Sequence, residues 1–128
     1  MKNIADIRQE YTKSGLRESE LPCDPLSLFS RWLQEAIDAN VEEPTAIIVG
    51  TVSPEGRPST RTVLLKGLHD GKFIFYTNYE SRKGRQLAQN PYISLSFVWH
   101  ELERQVHIEG TAAKVSPEES DEYCLLYT

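Results

Sequence analysis

The chain begins with one segment of helical periodicity and continues with runs typical of β-strands. Asp24-Pro25 is a favourable helix start, with Asp as N-cap, and apolar residues then recur every three or four positions to about Asn40. We expect this helix to cover a sheet. Runs of β-branched and aromatic residues, separated by turn residues, predict five strands, at residues 46–52, 59–66, 72–78, 92–99 and 104–114.

The remaining segments predict shorter helices around the strands. Residues 1–23 are expected to form an N-terminal arm with a polar helix, 81–90 a helix before Pro91, and 116–128 the start of another helix. Strands joined mostly by short turns favour an antiparallel meander that closes into a small barrel. The sequence therefore predicts a single mainly β domain over residues 1–128, with flanking helices.

Charge is distributed unevenly along the 128 residues, whose net charge is −5. Residues 57–85 carry seven basic and two acidic side chains, so this segment is +5 and the remainder −10. An acidic chain with one basic segment suits a small anionic ligand better than nucleic acid, which usually requires an overall basic surface. The alternative is that these Lys and Arg side chains are simply solvated.

Other classes of protein find little support in the sequence. No apolar run has the length of a membrane helix, and the first residues lack the apolar stretch of a secretory leader, so we expect a cytoplasmic protein without membrane contact. Cys23 and Cys124 are far apart and form no CxxC pair. His100 and His107 lack metal-ligand spacing, so no metal site is predicted.

The segment after the third predicted strand has the features of an anion site. Ser81 is a plausible N-cap, which places Arg82 and Lys83 in the first turn of the predicted helix. Cations there oppose the helix dipole, whereas a bound phosphate would be attracted by the dipole, the free N–H groups and both side chains. The alternative is that both cations point into water.

Two further basic residues lie on the second predicted strand. Arg61 offers a forked donor suited to phosphate, and Lys66 follows five positions later, so the two should face opposite ways unless a bulge intervenes. Trp99, Tyr76 and Phe75 are able to stack on a flat ring, although aromatic residues in strands more often belong to a core.

Taken together and in order, these motifs resemble the pyridoxamine 5′-phosphate oxidase family. Each motif is short, but their collinear order over residues 4–123 is specific. The matching segments are Arg8-Gln9-Glu10-Tyr11-Thr12, Asp24-Pro25-Leu26 with Phe29 and Arg31-Trp32, Pro44-Thr45-Ala46, Gly56-Arg57-Pro58, Arg61-Thr62-Val63-Leu64-Leu65-Lys66, Phe75-Tyr76-Thr77-Asn78, Ser81-Arg82-Lys83, Asn90-Pro91 and Leu102-Glu103-Arg104-Gln105-Val106 before Gly110.

The resemblance implies an FMN-binding split β-barrel, antiparallel and Greek-key-like, that works as a homodimer with each flavin at the subunit interface. Arg61, Arg82 and Lys83 would hold chiefly the FMN phosphate, which agrees with the anion argument. The residues that match FMN contacts are Arg61, Thr62, Val63, Leu64, Leu65, Lys66, Tyr76, Thr77, Arg82, Lys83 and Gln105.

The resemblance also implies the reaction and its substrates. Pyridoxamine 5′-phosphate or pyridoxine 5′-phosphate would lose a hydride equivalent from C4′ to flavin N5, giving pyridoxal 5′-phosphate, and O2 would reoxidise the flavin to yield H2O2. Residues matched to substrate binding are Lys66, Tyr123, Arg8 and Tyr11. The alternatives are a related split-barrel flavin reductase and a non-catalytic binder of FMN or pyridoxal phosphate.

The resemblance breaks after Tyr123. Where the family continues with Tyr-Phe, two variable residues and Arg-Pro, this chain has 124–128, so we expect it to be C-terminally truncated and these five residues to be non-native. The family's later Arg and His that orient substrate have no counterpart, and no catalytic residue is identified. We therefore expect a barrel that is incomplete at its C-terminus, with weak FMN binding and little oxidase activity in this chain alone.

Overall fold

The computed structural model describes residues 3–7, 19, 24–76, 90–114 and 122–127. These residues form one α-helix and six β-strands, with single 3-10 turns at Ile4–Asp6 and His100–Leu102. The elements are α1 Pro25–Asp38, β1 Ala46–Val52, β2 Pro58–His69, β3 Lys72–Tyr76, β4 Tyr92–Trp99, β5 Arg104–Lys114 and β6 Glu122–Tyr127.

The six strands form a closed barrel in the order β1-β2-β3-β6-β5-β4. Every neighbouring pair is antiparallel. The strands β1, β2 and β3 follow one another as hairpins, and the chain then crosses to β4 on the far side of β1. This arrangement confirms the predicted antiparallel barrel and its mainly β composition.

The core lies inside the barrel and under helix α1. Alternate residues of β1 and β4 point inward, among them the fully buried Ile47, Val49, Leu95 and Phe97. Trp99 is 1% exposed, and its indole N–H donates to the Pro44 carbonyl at 2.9 Å. Burying large apolar side chains while pairing the one buried indole donor satisfies both requirements of a stable core.

Helix α1 begins and packs as its sequence predicts. The Asp24 carboxylate accepts from the Leu26 N–H at 3.1 Å, as an N-cap does, and Pro25 occupies the first helical position. Phe29, 4% exposed, inserts between Phe73 and Phe97 with ring centroids 5.0 and 4.9 Å away. The helix therefore covers one part of the barrel core.

The β2–β3 hairpin differs from its predicted limits. β2 continues to His69, beyond the expected end at Lys66. β3 is described over Lys72–Tyr76, and residues 77 and 78 of the predicted strand lie outside the described residues. Asp70 and Gly71 both have positive φ, 52° and 75°, which is the two-residue turn that fits the twist of a hairpin. This tight turn lets the strands pair up to the turn itself.

The C-terminal part of the fold corrects two expectations. The segment 116–128 was expected to start a helix, but residues 122–127 form β6, which pairs with both β3 and β5. A short apolar run can satisfy its backbone N–H and C=O groups on both sides in this position. The expected gap in the barrel is consequently filled by β6.

Two predicted helices cannot be compared with the structure. The segment 81–90 lies almost wholly outside the described residues, and so does most of the N-terminal arm, of which the Ile4–Asp6 turn is described. Among the described helices, none has the length and hydropathy needed to cross a membrane.

Candidate functional site

Four adjacent strands, β2, β1, β4 and β5, present a continuous face on the outside of the barrel, here called the outer face. Their registers align outward residues in rows across the strands, since cross-strand partners share a face. Two rows cross all four strands: Thr60, Gly50, Ser94 and Glu109, and Thr62, Ile48, Ser96 and His107. The pairs Leu64–Ala46 and Val98–Gln105 extend the face beside them.

The outer face carries exposed apolar side chains at its middle. Ile48 is 44% exposed, Leu64 41% and Val98 42%, although each lies within a strand. Polar side chains such as Thr62 and Gln105 border them. An exposed apolar patch with a polar border is typical of a surface that binds a ligand or another protein.

The side chains of residues 62–65, which match FMN contacts, lie alternately on the two sides of the barrel wall. Thr62 and Leu64 are exposed on the outer face. Leu65 is buried in the core, and Val63 packs against the core opposite Ile47. The side chains of Val63 and Leu65 therefore do not contact a ligand on the outer face, and only their backbone groups are near it.

Arg61 is exposed although its register position belongs to the inner side. It pairs with Val49, which is fully buried. Among the described residues, the first half of β2 has a neighbouring strand only on its β1 side. Arg61 forms no ion pair among the described residues and is available to an anion.

Lys66 lies at an irregularity in β2. The pairing with β3 shifts between Leu65 and Gly67, which leaves Lys66 as the additional residue of a β-bulge. The simple alternation that would place Lys66 opposite to Arg61 therefore does not hold here. Lys66 is exposed, and Tyr76, 48% exposed, follows directly after Phe75, the β3 partner of Leu65.

The three candidate stacking rings fall into two groups. Phe75 and Trp99 are buried in the core, as is usual for aromatic residues in strands, and are not available for stacking on a ligand. Tyr76 is exposed, so it alone of the three rings offers a surface to a ligand.

Gln105 lies at the opposite side of the outer face from β2. It is exposed, pairs with Val98 and lines a cavity of about 310 Å³ together with His100, Glu103 and Arg104. Three strand spacings of about 4.8 Å, or about 14 Å in all, separate it from β2. A flavin ring resting on Leu64 therefore does not reach Gln105 of the same subunit across the curved wall.

Sequence reasoning missed a hydrogen-bonded group of three side chains on the outer face. The Ser96 hydroxyl lies 3.2 Å from His107 Nδ1, and His107 Nε2 lies 3.4 Å from a Glu109 carboxylate oxygen. His107 and Glu109 are two positions apart on a predicted strand, and this spacing indicates that their side chains share a face. Among the described residues no cluster suited to a metal ion occurs.

One end of the outer face opens into a cleft of about 570 Å³. Its floor includes Gly50, where a Cβ would lie 2.5 Å from the Ser94 hydroxyl. Tyr92 and Glu109 stand at its sides. The lining contains no Lys or Arg, so the cleft does not suit a phosphate.

Several predicted site residues lie outside the described part of the chain. They are Arg8, Tyr11, Thr77, Arg82 and Lys83. For Tyr123 the backbone is described, and it pairs with Phe75 in the barrel. The expected convergence of Arg61 with Arg82 and Lys83 on one phosphate therefore stays a prediction.

The described residues fit FMN in three respects. The apolar part of the outer face suits a planar ring, Thr62 offers a hydrogen bond beside it, and among the described residues Arg61 has no ion pair and is available to a phosphate. Apolar contact with a few placed polar groups is the usual composition of a cofactor site.

The chain matches known proteins over most of its length. Residues 33–126 match the family model described as pyridoxamine 5′-phosphate oxidase. A pyridoxine/pyridoxamine 5′-phosphate oxidase of Bacteroides fragilis is 78% identical over 94% of this chain and 52% of its own length.

Solved structures are similar as well. PhzG from Burkholderia lata 383, in complex with tetrahydrophenazine-1-carboxylic acid, is 33% identical with a TM-score of 0.77, covering 84% of this chain and 54% of PhzG. A pyridoxamine 5′-phosphate oxidase-related, FMN-binding protein from Nostoc punctiforme, 22% identical with a TM-score of 0.65 over 76% of this chain and 51% of its own, shares the fold.

The match covers most of this chain but only part of each relative. The chain spans about half the length of the curated relatives it matches. The family model nevertheless covers nearly all of the barrel, from within α1 to within β6. The chain belongs to the pyridoxamine 5′-phosphate oxidase family.

Proposed function

We propose that this chain forms the FMN-binding part of an oxidase that converts pyridoxamine 5′-phosphate or pyridoxine 5′-phosphate to pyridoxal 5′-phosphate. The observation that carries the proposal is the 78% identity, over 94% of the chain, to a relative bearing that name. In the reaction O2 is reduced to H2O2, and the amine substrate also consumes water and releases ammonia. FMN, when bound, would supply the hydride-accepting chemistry.

The outer face would bind the ring of the cofactor. Ile48 and Leu64 provide apolar surface on neighbouring strands, and Thr62 lies beside them with a hydroxyl for a polar atom of the ring. Covering these side chains removes apolar surface from water, which contributes roughly 25 cal/mol per Å² to binding. Because they lie on strands of a closed barrel, their positions are fixed before the ligand arrives.

Arg61 and Lys66 would hold phosphate groups. Both are exposed, and neither forms an ion pair among the described residues. A guanidinium can donate two parallel hydrogen bonds to phosphate, whereas an ammonium acts as a compact charge. We assign Arg61 to the FMN phosphate and Lys66 to both flavin and substrate, as the family resemblance implies.

A second copy of the chain would complete the site. Gln105 is about 14 Å from β2 along the outer face, yet both match flavin contacts. If two outer faces meet, Gln105 of one subunit can approach a flavin held by β2 of the other. The exposed Ile48, Leu64 and Val98 would then be buried between subunits.

The binding proposal is tested by comparing FMN with riboflavin, which lacks the phosphate. Arg61→Met should raise the Kd for FMN at least about tenfold, since a hydrogen bond to a charged group contributes about 1.5–3 kcal/mol. Riboflavin binding should stay unchanged. Fluorescence titration of the flavin measures both constants.

Arg57→Met is the matched control, because Arg57 is an exposed arginine in the nearby β1–β2 turn. It should leave both constants unaltered. Equal losses of FMN and riboflavin in Arg61→Met would assign Arg61 a role other than phosphate binding. Absence of flavin binding by the unaltered chain would refute the proposal.

The reaction is tested in a chimera in which the remaining part of the B. fragilis relative follows this chain. Peroxide release should depend on pyridoxamine 5′-phosphate and should be much weaker with pyridoxamine, which lacks the phosphate. Flavin reduction by a nicotinamide without peroxide from either vitamer would favour a flavin reductase. Binding without turnover would favour a carrier or sensor.

A further inference from the structure

Arg104, the first residue of β5, is held by helix α1 through two contacts. Its guanidinium Nη1 donates to Oε2 of Glu35. Its guanidinium carbon also lies 4.7 Å from the centroid of the Trp32 ring, a cation–π contact. The side chain is only 21% exposed, so both contacts are partly shielded from water.

The Glu35 carboxylate lies between two guanidinium groups. Arg31, one helical turn earlier, has its Nε 4.0 Å from Glu35 Oε1 and is half exposed. Exposed pairs at this spacing contribute little, whereas the Arg104 pair is less solvated and is reinforced by the Trp32 ring. Arg104 is therefore the contact that joins α1 to the start of β5.

The start of β5 follows a tight turn and is paired with β4. Before Arg104 the chain makes a 3-10 turn and passes through Glu103 in the left-handed conformation, with φ of 54°. In the described structure β6 pairs with β5 only from Gly110 onward, so residues 104–109 have β4 as their one neighbouring strand. Arg104 attaches this end of β5 to helix α1.

Arg104 and Gln105 point to opposite sides of the strand. Arg104 pairs with the buried Trp99, and Gln105 pairs with the exposed Val98 on the outer face. Because successive side chains of a strand alternate, holding Arg104 against α1 fixes the direction in which Gln105 points. A rotation of the strand start would move both side chains together.

We propose that Arg104, clamped between Glu35 and Trp32, is a positioning residue that orients Gln105 toward the flavin. The inference rests on the proposed function, in which Gln105 contacts FMN. It adds that helix α1, on the other side of the barrel wall, controls the geometry of this contact. Arg104 itself does not touch the ligand.

The test is a double-mutant cycle on the Kd for FMN, with this chain. Arg104→Met keeps an unbranched stem over Trp32 and removes the charge, and it should raise the Kd about fivefold, a common size for coupling within one network. Gln105→Ala should raise it by a similar factor. The double variant should bind no more weakly than Gln105→Ala alone.

A second measurement does not require flavin. In the free chain, the backbone amide order parameter of Gln105 should fall from about 0.85 toward 0.6 in Arg104→Met. Arg104→Lys should recover part of the order, because it keeps the charge without the planar fork. Gln34→Ala, which removes a 2.9 Å hydrogen bond to Asp38 on the same helix, is the control and should change neither quantity.

The possible outcomes separate the two proposals. If the unaltered chain binds FMN but the effects of Arg104→Met and Gln105→Ala multiply, Arg104 does not act through Gln105 and this inference is wrong. If the unaltered chain binds no FMN, the proposed function fails, and the inference with it. Should Arg104→Met fail to fold, Glu35→Gln takes its place in the same cycle.

Discussion

At the residue scale, four aromatic side chains carry much of the packing. Phe29 of α1 contacts Phe73 of β3 and both Phe97 and Trp99 of β4, with ring centroids 5.0, 4.9 and 6.0 Å away. The first two contacts are edge-to-face, which the charge distribution of aromatic rings favours. One residue of the helix thus joins two strands that are not neighbours in the barrel.

Replacing this residue should cost substantial stability. Phe29→Ala is expected to lower the free energy of unfolding by about 3–5 kcal/mol, because it leaves a cavity among three rings. Urea denaturation followed by circular dichroism measures the loss. Ile37→Ala on the same helix, at a 44% exposed position, should cost far less, and equal losses would contradict the packing described here.

Single residues also show where sequence reasoning reaches its limit. The sequence places Arg61 on a strand among apolar residues and Thr, but which side of the barrel wall it occupies depends on the pairing of β2 with β1. The bulge at Lys66 has no distinct sequence signal. No sequence feature near Arg104 indicates its role, because its partners Trp32 and Glu35 are about seventy residues away in the chain.

At the scale of elements, helix α1 depends on its N-cap. The Asp24 carboxylate accepts from the Leu26 N–H at 3.1 Å and from the Ser27 hydroxyl at 3.2 Å. Removing it leaves an N–H group of the first turn without its partner. The carboxylate also interacts favourably with the positive end of the helix dipole.

Asp24→Ala is therefore expected to lower the free energy of unfolding by about 1 kcal/mol. Asp38→Ala is the matched control, because Asp38 ends the same helix, where a carboxylate opposes the dipole. The control should be neutral or slightly stabilising. Equal destabilisation by both variants, in the same urea titration, would mean that the cap has no special role.

Strand limits were predictable where local signals determine them. The limits of β1 and β4 and the start of β5 agree with the sequence prediction, since turn residues or a proline flank them. β6 was not predicted as a strand, because its conformation depends on the open edges of β3 and β5, which no short sequence window contains. Pairing between distant strands is a tertiary effect that overrides local preference.

At the scale of the whole molecule, the outer face is the principal exposed apolar surface of the described barrel. Ile48 lies at its centre, next to Thr62 on one side and Ser96 on the other. The proposed function places a second subunit on this face. A charge introduced at its centre would have to be buried without a partner in such a dimer.

Ile48→Glu is accordingly expected to shift the chain from dimer to monomer in sedimentation equilibrium, while leaving the unfolding midpoint of the monomer nearly unchanged. Ile37→Glu is the matched control, since Ile37 is equally exposed, at 44%, on helix α1. It should leave the dimer intact. A dimer that persists in Ile48→Glu would place the subunit contact elsewhere.

The sequence predicted the family and the barrel, because each depends on ordered motifs or local periodicity. It could not predict that Val63 and Leu65 turn away from the outer face, or that Gln105 lies across the sheet from Leu64. Those facts follow from strand order and register. Both are set by the complete set of pairings.

The strand order also constrains how the barrel assembles. β1 pairs with β2, its neighbour in the chain, but also with β4, which follows only after two further strands. The β1–β2–β3 hairpins can form early from nearby residues, whereas ring closure must wait for partners far apart in the sequence. Closure is therefore expected to limit the folding rate, as in other barrels rich in non-local contacts, on a scale of roughly milliseconds to seconds.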